Sequence, residues 1–184
     1  MIELDARTNP RLREELGAIA SIPPAERVVG PGASVIMAPF AHPNPEGSRF
    51  CDATFGAFYA AHTLPTAIAE ARYHRERFMR ASHEAPQTLE LMLYEASLHG
   101  NFYDIRTSDN RGWYSPVSYE KSQPLGVRLH AAGADGIAYR SVRHPSGECV
   151  AAFKPSCISR CRPVKPLFAH WDGASITTIS TPVA

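Results

Sequence analysis

The sequence predicts an α+β fold, with a mixed or antiparallel sheet and flanking helices. Three observations carry that expectation. In TLELMLYEASL the residues Leu89, Leu91 and Leu93 take alternate positions, the period of a strand with one covered face. After Thr63 and after Ser122, apolar residues recur at helical spacing instead. Strand and helix segments are interspersed without a regular βα alternation, which argues against a doubly wound parallel sheet. The chain has 184 residues, so residues 1–184 are read as one domain, with 1–30 as a short N-terminal helical extension.

The elements follow in order. Residues 9–20 read as a short helix: Asn9 caps its start, Pro10 takes the tolerated first position, and Leu12, Leu16 and Ile19 share a face before Pro23-Pro24 ends it. PGASVIMAPFAH is an apolar run expected to form a buried strand, and AHPNPEGSRF is a loop by its Pro, Asn and Gly content. FGAFYAA is a short strand ending at Ala61. A helix begins at Thr63 as cap, with Pro65 in the first turn. Leu64, Ile68, Ala71, Arg75 and Phe78 trace the stripe expected to face the core. FYDI is a short strand, followed by a loop through Asn110-Arg111-Gly112. Ser122 to Ala132 is a second helix with Leu125 and Leu129 inward and Gly133 as its stop. DGIAY and ECVAAF are strands flanking SVRHPSG. The C-terminal stretch is expected to be irregular, with one more strand.

Composition bounds the function. Hydrophobic residues make up 44% and charged residues 20% of the chain, which excludes wholesale disorder. A net charge of +1 gives no overall field toward nucleic acid or a membrane surface. The basic residues are strongly biased to arginine, with lysine only at Lys121, Lys154 and Lys165, a faint hint of an anionic ligand. No segment approaches the roughly 20 apolar residues that span a bilayer, and the charged N-terminus lacks a signal-peptide core. A cytoplasmic protein with reduced cysteines is therefore expected. Cys157 and Cys161 in CISRC form a possible zinc half-site, but Cys51 and Cys149 are isolated, so small buried thiols and no metal are expected.

Two units carry candidate chemistry. In SRFCDATFGAFYAAHTLPTAIAEARYHRERF, Arg49 lies in a loop, Tyr59 ends a strand, and Glu70 sits mid-helix between Ala69 and Ala71. A carboxylate beside small residues and a possible cavity is costly to bury unless it is paired or used. In DGIAYRSVRHPSGECVAAF, Ser141, Arg143 and His144 occupy a polar loop between apolar strands. The plainer readings stay open on residues alone: a solvated Arg49, a core Tyr59, a solvated or ion-paired Glu70. GxSxG, Walker A and GxGxxG patterns are absent.

Together YAAHTLPTAIAEARYHRERF and SVRHPSGECVAAF resemble the RES domain family, named for its Arg, Glu and Ser, over most of the chain. Carried across by position, the family's Arg is Arg49, its Tyr is Tyr59, its Glu is Glu70 and its Ser is Ser141. The resemblance implies an ADP-ribosyltransferase-like fold with a central cleft. It implies a toxin of a type II toxin–antitoxin pair whose substrate is NAD, degraded by hydrolysis or phosphorolysis, with no separate cofactor. It also implies an Xre-type helix-turn-helix antitoxin covering the cleft in a multimeric complex, so that nucleic acid is met only through that partner and no membrane is involved.

The chemistry is consistent with that expectation. Cleaving the nicotinamide–ribose bond creates an oxocarbenium-like sugar while nicotinamide leaves neutral, so electrostatic stabilisation matters more than a general acid. Glu70 is assigned to the ribose and its developing charge, Arg49 to the diphosphate, Tyr59 to the nicotinamide ring, and Ser141 to a ribose or carboxamide hydrogen bond. Arg143 is a further phosphate contact. The alternatives are transfer of ADP-ribose to a protein, an RNase-type toxin using Arg72, Arg75, Arg77 and Arg80 with His74, and a non-enzymatic binding module in which Glu70 and Arg49 merely pair.

Overall fold

The computed structural model describes Ile19 and residues 22–181. The helix expected over 9–20 lies, apart from Ile19, outside the described residues. The elements are α1 (Ala33–Ala41), β1 (Phe58–Ala61), α2 (Leu64–Ala81), β2 (Gln87–Leu98), β3 (Phe102–Asp104), α3 (Gln123–Ala131), β4 (Gly136–Arg140), β5 (Glu148–Ala152), β6 (Ile158–Trp171) and β7 (Ile176–Ser180). Short 3₁₀ turns occupy Pro24–Glu26, Arg111–Tyr114 and Pro155–Cys157. The fold is α+β, with two sheets. One runs β1-β5-β4-β3, antiparallel except that β3 and β4 are parallel; the other is the antiparallel β2-β6-β7. No helix among the described residues is long and apolar enough to cross a membrane.

The core divides accordingly. Phe50, Ile105, Leu125, Ile137, Tyr139, Ala151 and Phe153 close under the first sheet, with Phe50 edge-on to Tyr139 at 4.9 Å between ring centres. Met79, Ala169, Trp171 and Ile176 fill the second, where the Trp171 indole N–H donates to the Glu84 carbonyl at 2.9 Å. A third cluster of Ile36, Ala152, Ile158 and Cys161 joins the two sheets under α1. All four cysteines are buried free thiols, and no group of three or more His, Cys, Asp or Glu among the described residues is placed to hold a metal ion.

Four expectations are corrected. PGASVIMAPFAH forms the helix α1 rather than a strand, burying Ile36 and Met37. The run is apolar on every side, and periodicity cannot tell a short buried helix from a buried strand. Pro39 lies inside the helix and removes one intrahelical bond, the one an N–H there would make to the Val35 carbonyl. The C-terminal stretch is not irregular: β6 is 14 residues long and β7 follows it. Pro163 and Pro166, which disguise β6, pair with Tyr94 and Met92 of β2. Strand β7 meets β6 only over Phe168–Trp171, so both prolines lie where one side of β6 is open and no N–H is required there.

The third correction concerns α2. Most of its expected core stripe faces outward: Leu64 is 36% and Phe78 58% exposed, Ala71 and Arg75 are exposed, and Ile68 alone is half-buried. The inward face is instead Thr66, Glu70, Tyr73 and Met79. The fourth concerns the caps. Thr63 and Ser122 hold the expected N-cap positions but neither caps with its side chain. The Thr63 hydroxyl meets Thr66 Oγ1 at 2.8 Å, and Ser122 Oγ donates to the Tyr119 carbonyl at 3.3 Å. Helix α3 otherwise matches its sequence pattern, with Leu125 buried, Leu129 half-buried and Gly133 at φ +79° just past its end.

Candidate active site

Helix α2 and the β4–β5 connection meet where Ser141 Oγ donates to Glu70 Oε1 at 2.6 Å. The donor direction follows from the surroundings. The backbone N–H groups of Arg143 and His144 both donate to Ser141 Oγ at 3.0 Å. A hydroxyl has two acceptor lone pairs and one proton, so with both lone pairs taken the proton goes to the carboxylate. The loop holding Ser141 is closed by Ser141 N–H to the Gly147 carbonyl at 2.7 Å and Gly147 N–H to the His144 carbonyl at 3.0 Å. It is pinned to α2 by Thr66, fully buried, whose Oγ1 meets His144 Nδ1 at 3.0 Å.

Arg49 is 6% exposed. Its Nη1 donates to the carbonyls of Trp113 and Ser115, each at 3.1 Å, and its guanidinium lies 5.0 Å from the Tyr119 ring centre. Arg143 stacks on Tyr73, 3.3 Å from the ring centre, and its Nη2 donates to the Pro116 carbonyl. The Tyr73 hydroxyl donates to the same carbonyl at 3.2 Å. One short segment, residues 113–116, therefore ties both guanidinium groups together. The charges of Glu70 and Arg49 are both felt at Cys149, whose thiol burial pushes up to about 12, with Glu70 adding to the rise and Arg49 opposing it.

Tyr59 stands at the edge of this group. Its hydroxyl meets Ser48 Oγ at 2.8 Å and accepts the Phe50 N–H at 3.1 Å, clamping the backbone on both sides of Arg49. Burial of that hydroxyl raises its pKa, so it stays neutral, while the residue as a whole is 37% exposed. Gln123 of α3 secures the same loop through its Nε2, which donates to the carbonyls of Ser48 at 3.1 Å and Cys51 at 3.2 Å. Ser115 and Pro116 also line a cleft of about 560 Å³, together with Asp109, Arg111, Tyr114 and Arg140.

The structure brings Glu70, Ser141 and Arg143 into one cluster, connects Arg49 to it through residues 113–116, and sets Tyr59 behind Arg49. Sequence reasoning missed Tyr73 and Thr66 as parts of this group. Both lie on Glu70's own helix face, at i+3 and i−4, and that spacing was the available signal. Nothing in the sequence marks the carbonyls of Trp113, Ser115 and Pro116.

His74 is the neighbouring titratable group. Burial lowers its pKa, and the charges of Arg143, Arg49 and Arg77 lower it further against the opposing pull of Glu70. With a folded pKa below the unfolded value near 6.5, the unfolded chain binds more protons as the pH falls through that window, so stability drops there. Denaturant midpoints should therefore fall between about pH 7 and pH 5, and His74→Asn should flatten the slope. An identical slope in the variant would show that His74 does not carry the effect.

The RES domain family model matches residues 24–172. The chain belongs to the RES domain family. Its match to the uncharacterized protein y4oC of Sinorhizobium fredii (strain NBRC 101917 / NGR234) is 30% identical over 182 residues, covering 97% of this chain and 74% of the relative. RES domains are known in toxins of toxin–antitoxin pairs and suggest an ADP-ribosyltransferase-like enzyme. The matched span of this RES domain contains Arg49, Tyr59, Glu70, Ser141 and Arg143.

Proposed function

We propose that this RES domain is an NAD-cleaving toxin of a type II toxin–antitoxin system. It breaks the nicotinamide–ribose bond and passes ADP-ribose to water or phosphate, depleting NAD and arresting growth. The observation that carries the reading is the 2.6 Å hydrogen bond from Ser141 to Glu70, in a cluster with the Arg143 loop and tied to Arg49 through residues 113–116. One carboxylate faces an excess of positive charge, the complement of a substrate with a cationic sugar end and an anionic bridge. In the reaction the C–N electron pair leaves with nicotinamide, and the deficit at the sugar is offset by the Glu70 carboxylate. Water or phosphate then bonds to the ribose carbon, with water releasing its proton to solvent.

Ser141 acts in this scheme as a positioning residue. Its lone pairs are occupied by two backbone N–H groups and its proton by Glu70, so it aims the carboxylate rather than touching the ribose. Arg49 and Arg143 hold the diphosphate. The Tyr59 ring offers its exposed face to the nicotinamide. An Xre-type helix-turn-helix antitoxin is the partner that would cover this cleft. The RNase reading gains little support, because Arg72 and Arg80 are both paired with Glu76, and Arg77 reaches Glu46 at 3.5 Å.

The test is incubation of the purified protein with NAD and, separately, with total RNA, followed by NMR of the products with and without phosphate. Nicotinamide release with intact RNA is expected. ADP-ribose formed only without phosphate, and its 1-phosphate formed when phosphate is present, would identify phosphorolysis. Stable NAD over hours with folded protein would overturn the proposal.

A further inference from the structure

The two arginines are already occupied by the chain itself. Within four residues, three backbone carbonyls, those of Trp113, Ser115 and Pro116, take donors from Arg49, Arg143 and Tyr73. An arginine grips a phosphate best through two parallel N–H donors. In Arg143 that pairing is half made: Nη2 reaches the Pro116 carbonyl, while Nε is buried with no hydrogen-bond partner among the described residues. A buried donor without an acceptor is an expensive arrangement to maintain. A single carbonyl oxygen leaves it so; a phosphate group, with several oxygens, can satisfy both donors. In Arg49 both bonds to the chain use Nη1, so Nε and Nη2 have no protein acceptor among the described residues.

We infer that the carbonyls of Trp113, Ser115 and Pro116 are stand-ins for the oxygens of a diphosphate, so that Trp113–Val117 is a strap which a diphosphate displaces from Arg49 and Arg143. The inference rests on the NAD reading for the identity of the substrate, and on the hydrogen bonds above for the site. Its surroundings suit it. Val117 at the crest of the strap is 85% exposed. Trp113 and Tyr114 anchor one end of the strap, packed against the core with the Tyr114 hydroxyl donating to the Ile105 carbonyl at 2.6 Å, while the Ser115–Val117 end is closed only by Val117 N–H at 3.4 Å and Ser118 N–H at 3.1 Å to Ser115 Oγ. Ser115 and Pro116 line the cleft shared with Arg111 and Arg140, so a displaced strap has open space beside it. Tyr73 holds Arg143 from below through its ring and ties down the strap through its hydroxyl. It thus opposes opening without competing for the anion.

Two measurements on the full chain test this. In the first, backbone hydrogen exchange of residues 113–118 is followed with ADP as the diphosphate probe and adenosine as the control. ADP should speed exchange there about three- to tenfold, as expected for release of one or two hydrogen bonds, and leave β4 and β5 unchanged; adenosine should do neither. In the second, Tyr73→Phe keeps the ring under Arg143 and removes only the bond to the strap. ADP should bind this variant about three- to tenfold more tightly, and the KM for NAD should fall with it. ADP binding with unchanged exchange at 113–118, or weaker ADP binding by Tyr73→Phe, would overturn the inference. NAD cleavage without measurable ADP binding would also overturn it while leaving the proposed reaction in place. Strap release by ADP in a protein that leaves NAD intact would support the anion site and overturn the proposed reaction.

Discussion

Glu70→Gln should lower the rate of NAD consumption by a factor of about 100 to 1,000, the usual effect of removing one preorganised electrostatic contact from a transition state. The substitution removes the negative charge and little else. A glutamine carbonyl oxygen accepts the Ser141 proton at the same place, so the 2.6 Å contact that joins α2 to the β4–β5 connection survives. Thermal unfolding should therefore stay within about 2 °C of the parent, and growth arrest on expression should disappear with the activity. Ser141→Ala makes the reverse change. It leaves the charge but removes the hydroxyl, stranding two backbone N–H groups and freeing the carboxylate to turn. Activity should fall less than in Glu70→Gln, and stability should fall more. A parental rate in purified Glu70→Gln would refute the role given to that carboxylate.

Gly126→Ala should be strongly destabilising. Replacing glycine by alanine in a helix interior ordinarily adds up to about 1 kcal/mol of stability. Here the sign reverses. A Cβ at residue 126 would lie 1.8 Å from the Phe50 carbonyl oxygen, a backbone atom that cannot swing aside. Helix α3 must back away from the loop carrying Arg49, and Gln123 on the same helix loses its grip on the Ser48 and Cys51 carbonyls. Overpacking of this kind costs about 3 kcal/mol, or about 6–12 °C in the unfolding midpoint for a chain of this size. Residual folded protein should bind the dinucleotide poorly, because Arg49 moves with its loop. A midpoint equal to or above the parent would mean that α3 does not approach Phe50 so closely.

Much of the architecture is legible in the residues, and the failures have definite causes. Strand β2 reveals itself because it has one covered face, which leaves an alternation in the sequence. Helix α1 does not, since Val35, Ile36, Met37 and Phe40 give it no polar side from which to read a period. Strand β6 is masked by Pro163 and Pro166, tolerated only because β7 stops short of them. The α2 stripe misleads for a different reason. The side of that helix that meets the rest of the molecule is chosen by Glu70, Thr66 and Tyr73, which are polar, so apolarity points the wrong way. The same inversion explains the candidate site. Family resemblance marks Arg49, Tyr59, Glu70 and Ser141, whereas the carbonyls of residues 113–116 carry no side-chain signature that a sequence could display.

Glu76 lies further along α2, more than one turn beyond Glu70. Its carboxylate accepts from Arg72 at 3.1 Å and Arg80 at 2.9 Å, and also from the Ile176 backbone N–H at 2.9 Å, where β7 begins. Arg80 adds a bond to the Ala174 carbonyl at 2.9 Å. One rod thus carries the Glu70 carboxylate toward its near end and is bolted to the far hairpin toward its other. A cut in the Asp172–Ser175 turn should loosen that mounting, so on the proposed reading the β6–β7 hairpin supports the aim of Glu70 from a distance.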